Sequence, residues 1–120
     1  MSFSIDTINH ESGIVILELN GEITFENSDI LRDKIDELCD ENKSSIIIDL
    51  AGLKYMSSAG MGVLVHGLKR TRQLGGKLNL LNLNSKMRRV FLITQFTHHF
   101  DVFENIEQAV LNFTNKVEGD

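Results

Sequence analysis

The sequence predicts a single α/β domain, a mixed β-sheet opened by an N-terminal hairpin and extended by crossover helices. Three observations predict it. The first apolar residues alternate at period two, as in half-buried strands. Farther along, short apolar runs alternate with segments whose apolar residues recur every three or four positions, the order that builds parallel crossovers. The chain has 120 residues, 42% of them hydrophobic and 24% charged, enough for one core and too few for two.

The elements follow in order. "FSIDTI" alternates with Phe3 and Ile5, joined by Ile8, on its apolar side and predicts a strand. "GIVILELNG" predicts its hairpin partner across the turn "NHESG", which holds His10. Asn27 or Ser28 is placed to cap a helix, with Asp29 in its first turn. Ile30, Leu31, Ile35, Leu38 and Cys39 make its apolar face, and Arg32, Asp33, Asp36 and Glu37 are expected to point away. "SSIIIDL" predicts a short strand buried on both sides. A second helix begins near Ser57 or Ser58, buries Met61, Leu64, Val65 and Leu68, and stops at Gly75. "KLNLLNL" predicts a fourth strand. Ser85 is expected to cap a short helix with Met87, Val90 and Phe91 inward. "FDVF" predicts a brief strand, and Ile106, Ala109, Val110 and Phe113 the stripe of a last helix. The domain is expected over residues 1–114, with 115–120 a flexible tail.

Composition narrows the function. The formal net charge of -5 disfavours nucleic acid and anionic membranes, which demand clustered positive charge. The single cysteine, Cys39, allows neither an internal disulfide nor a thiolate zinc cluster. No basic segment leads into an apolar one at the start, and no apolar run approaches the ~20 residues of a membrane span. The expectation is a cytoplasmic protein without cofactor or metal. His98 and His99 read as a solvated turn, since adjacent side chains seldom converge on one metal.

The informative stretch is "IIIDLAGLKYMSSAGMGVLVHGLK", residues 46–69. Its centre sets Ser57, Ser58, Ala59, Gly60, Met61 and Gly62 at the mouth of a helix and the carboxyl end of a strand, where α/β sheets carry their sites. A cap explains one serine, at about 1 kcal/mol. It does not explain two serines with two glycines, each of which weakens a helix by about 1 kcal/mol relative to alanine. The glycines are expected to let another surface approach the backbone. "GMGVLV" lacks the third glycine of a dinucleotide loop, because Val65 stands there, and no G-K-[ST] makes a Walker loop. The nucleophile elbow G-x-S-x-G is absent, since Tyr55 and Met56 precede the serines, and nothing places His66 as a base. A modification switch remains. Phosphate adds about -1.5 to -2 charges, a helix N-terminus tolerates them, and a docked partner would not. Lys69, Arg70 and Arg72 suit a helix C-terminus. Lys86, Arg88 and Arg89 oppose the dipole of the short helix and hint at an acidic partner or a phosphate.

These residues carry a resemblance. "IIIDLAGLKYMSSAGMGVLV" resembles the signature of STAS domains, specifically of the anti-sigma factor antagonists. "LNGEITFENSDILRDKI" and "LGGKLNLLNLNSKMRRVFLITQFTHHFDVFENIEQAV" are similar to the family's earlier and later segments. The resemblance implies a small cytosolic binding protein, not an enzyme. Its unphosphorylated form captures a serine kinase that is also an anti-sigma factor, which then releases its other partner. It implies Ser58 as the phosphoacceptor, with Ser57 the alternative hydroxyl, and a PPM-type phosphatase that reverses the modification. Residues 57–62 would meet the partner. Two positions depart from many relatives, Ser57 for Asp and Thr24 for an acidic residue. The competing reading is a STAS module that serves a transporter or signalling complex as a structural or ligand-sensing subunit without a serine switch.

Overall fold

The hairpin forms from β1 (Phe3–Asn9) and β2 (Val15–Ile23), paired antiparallel. β3 (Ser45–Met56), β4 (Lys77–Leu81) and β5 (Val102–Phe103) then join in sequence order, each parallel to the one before. This is a computed structural model, and it describes residues 2–95 and 99–114.

The strand order advances in one direction, so right-handed crossovers put all three connecting helices on one face. These are α1 (Ser28–Asp40), α2 (Ser58–Gln73) and α3 (Ser85–Ile93). Leu17, Leu19, Ile46, Ile48, Leu78 and Leu80 meet them in the main core. α4 (Ile106–Thr114) covers the opposite face, where Ala109 packs with Ile16, Ile47 and Leu81. Ile46, Ile47 and Ile48 are fully buried, as an apolar run covered from both sides requires.

α1 and α2 pack side by side. A Cβ on Gly67 would lie 2.8 Å from Leu78 Cδ1 and 3.1 Å from Ile35 Cδ1, so the helix approaches its neighbours only because that side chain is missing. Above this contact Asp36 accepts from Arg70 at 3.0 Å and lies 2.7 Å from His66 Nε2, and Arg70 also donates to Asp40 at 3.2 Å. Gly75, at φ +81, makes the left-handed turn that ends α2.

Several sequence expectations change. β3 does not stop near Leu50; it continues to Met56 by pairing with β2 through two register shifts. Ile30 is 53% exposed, because α1 rotates Leu31 and Ile35 inward instead. Asp36 and Arg70 join the α1–α2 seam: the former does not point away, and the latter serves more than the helix end. Val65 is half-buried, while Val63 and Thr71 complete the inner face of α2. Asn27 forms no side-chain cap, and Asn84, not Ser85, caps α3 by accepting from the Met87 amide at 2.8 Å. β4 ends at Leu81, two residues before the end of the run KLNLLNL that predicts it. Ile8, Val90 and Ile106 are partly exposed. His98 and the tail 115–120 lie outside the described residues.

Candidate functional site

β3 outruns β4, so its last residues stand at the tip of the sheet with β2 as the one strand paired beside them among the described residues. There Ser57 turns the chain from strand to helix. Its backbone is extended (φ -74, ψ 170), its amide donates to the Ile23 carbonyl at 2.9 Å, and its Oγ accepts from the Gly60 amide at 3.3 Å. Ser57 is therefore the N-cap. Ser58 is the first residue of α2 and is exposed. Among the described residues its hydroxyl has no hydrogen-bond partner. The two serines thus divide the work that the sequence left ambiguous: one hydroxyl closes the helix and the other faces solvent. The first turn of α2 contains no acidic residue, so no charge within that turn offsets the positive potential of the helix end.

The glycines also divide. Gly60 is buried, and a Cβ there would lie 2.7 Å from Met56 Cγ and 2.8 Å from Ile23 Cγ2. Its bare backbone serves the core, which corrects the expectation that it admits another surface. Met61 is buried as well, at 7% exposure. Gly62 is exposed, with open space where a Cβ would be. Ala59 is half-buried. Of residues 57–62, the outward set is Ser58 and Gly62, with the half-buried Ser57 and Ala59 beside them.

The surroundings add residues that sequence reasoning missed. Phe25 is 82% exposed in the loop after β2, two positions beyond the Ile23 carbonyl that holds Ser57. Asn27 organises this loop, accepting from the Thr24 amide at 2.8 Å and donating to the Glu22 carbonyl at 3.0 Å. Tyr55, 48% exposed, is on the other approach, beside an apolar groove between the end of β3 and α3. Nothing in an amino-acid pattern marks an aromatic as exposed; only the unpredicted extension of β3 brings Tyr55 to the tip.

The hydrolytic reading finds no support here. His66 is held at the α1–α2 seam by Asp36, away from the helix mouth. Among the described residues no group of three histidine, cysteine or acidic side chains is arranged to hold a metal, and no helix is long and apolar enough to cross a membrane. Cys39 is buried, and that burial raises its pKa above the ordinary thiol value.

Comparison with known proteins shows what the whole chain is similar to. The STAS domain model matches residues 7–109. The chain is 32% identical to BtrV of Bordetella bronchiseptica, over 94% of this chain and 95% of that protein. It is 31% identical to the anti-sigma-B factor antagonist of Bacillus subtilis, over 92% of this chain and 99% of that one. Among solved structures, an anti-sigma factor antagonist from Mycobacterium paratuberculosis superposes with a TM-score of 0.84 at 18% identity, covering 94% and 95% of the two chains. The antagonist SpoIIAA shares the fold in its unphosphorylated form (TM-score 0.70, 24% identity, 99% and 100% covered). The phosphorylated form from Bacillus shares it too (0.69, 22%, 92% and 97%).

Proposed function

The chain belongs to the STAS domain family, and from that premise we propose that it is an anti-sigma factor antagonist switched by phosphorylation of Ser58. The unphosphorylated form captures a serine kinase that doubles as an anti-sigma factor and so releases that factor's other target. A PPM-type phosphatase restores the binding form, and the exchange takes place in the cytoplasm. The protein acts by binding and not as an enzyme. Its folded unit is residues 1–114.

One observation carries the reading: Ser58 is exposed at the first position of α2 and has no hydrogen-bond partner among the described residues, while Ser57 independently holds the cap. A phosphate on Ser58 would meet the amide end of a helix, which stabilises it. The same dianion beneath a docked partner would be buried without a counter-charge, at a cost of several kcal/mol. The modification therefore spares the fold and opposes the complex. Serine in place of Asp at position 57 preserves the cap, since both residues are strong N-caps.

The test is incubation with the cognate kinase and ATP, followed by intact mass and peptide mapping. A single phosphoryl group on Ser58 is expected, with loss of kinase capture. Full modification of Ser58→Ala at Ser57 would reject the assignment. Unmodified protein that still assembles with a transporter or sensor would favour the passive STAS module.

A further inference from the structure

We propose that the groove between the end of β3 and α3 is a second docking subsite, which takes an apolar side chain from an acidic segment of a protein partner. The inference rests on the partner-docking reading only in making the occupant part of a protein. The groove has a volume of about 90 Å³; the buried Met61 and Met87 and the more exposed Tyr55 and Val90 are among the residues that line it. That is about three times the ~30 Å³ share of one liquid water, the scale of a single apolar side chain. Small, well-packed apolar pockets of this kind anchor interfaces. Methionine in the lining lets it adapt to the shape inserted.

Charge selects the occupant. Lys54 and Lys86 line the groove from opposite elements, β3 and α3, and both are exposed. Among the described residues neither pairs with a carboxylate; the lysine ion pairs lie at Lys34, Lys43 and Lys77. Lys86 also stands in the first turn of α3, where the helix dipole disfavours a cation. Its ammonium forms no ion pair among the described residues, and an incoming carboxylate would meet the lysine and the amide end of the helix together. On a chain of net charge -5 this is a local positive rim around an apolar lining. Its complement is an apolar anchor flanked by aspartate or glutamate. Met61 ties the groove to the switch, because the helix that Ser58 opens also supplies part of the lining.

The experiment is amide-resolved NMR titration of the unmodified full chain with three hexapeptides, acetylated and amidated: EELFEE, KKLFKK and EEAAEE. EELFEE is expected to shift residues 54–56, 61 and 86–90 and to bind about tenfold tighter than either control, the weight of a few surface ion pairs and an anchor. The double variant Lys54→Glu, Lys86→Glu is expected to keep a folded spectrum and lose that preference. Equal binding of the three peptides, shifts on another face, or unchanged affinity in the folded double variant would each overturn the proposal. Competition by inorganic phosphate as effective as the peptide would overturn it in favour of a simple anion site. No kinase enters this titration, so failure of the Ser58 switch and failure of the groove are read separately.

Discussion

Ser57 and Ser58 are neighbours in sequence with opposite duties. Ser57 satisfies an amide of its own helix, so Ser57→Ala should lower stability by about 1 kcal/mol, read as a fall in Tm, without moving the phosphate from Ser58. Ser58 makes no such bond, so Ser58→Ala should fold normally and capture the kinase constitutively. Ser58→Asp places a charge in the same spot and should weaken capture by several kcal/mol, a few hundredfold or more in Kd by titration calorimetry. Equal affinities of the two variants would remove the electrostatic basis of the switch. Cys39 offers a third measurement. Burial raises its pKa, so the reactive thiolate is scarcer at pH 8 than in a free cysteine. Native protein should resist iodoacetamide, and denatured protein should react promptly; rapid native labelling would mean that α1 opens readily.

At the scale of the element, α2 is a helix with two glycines in its opening turns, each there for a different reason. Gly60→Ala drives a methyl into Met56 and Ile23 and should cost about 1–3 kcal/mol in thermal or urea unfolding. Gly62→Ala meets open space and should raise stability by about 0.5–1 kcal/mol, the ordinary helix preference for alanine. A larger residue at position 62 should leave the fold intact and weaken partner capture. If Gly62→Ala destabilised as much as Gly60→Ala, the orientation of α2 described above would be wrong.

For the molecule as a whole, the serine loop lies at one end of a sheet whose core is elsewhere. Leu17, Ile46, Ile48, Leu64 and Leu80 are all fully buried below it. Phosphorylation should therefore leave circular dichroism almost unchanged and move the melting temperature by only a few degrees. Gross loss of helix on phosphorylation would point to a melting switch.

The sequence by itself determined the order of elements, the hairpin, the burial of Ile46–Ile48 and the place of the serine loop. Each is encoded locally, in periodicity, turn residues and caps, and so survives reading one window at a time. Its STAS character was legible for the same reason, because the signature around Ser58 is contiguous. What the tertiary structure decided depends on which surface lies opposite. β3 runs on to Met56 because β2 is there to pair with it. Gly60 is bare because Ile23 and Met56 are above it. Asp36 turns to the seam because His66 and Arg70, some thirty residues away, reach it from α2. Val90 and Tyr55 look like core residues by type, yet both are part-exposed at a groove formed by two elements that no local window contains. Periodicity fixes which residues share a face; only packing fixes what that face meets.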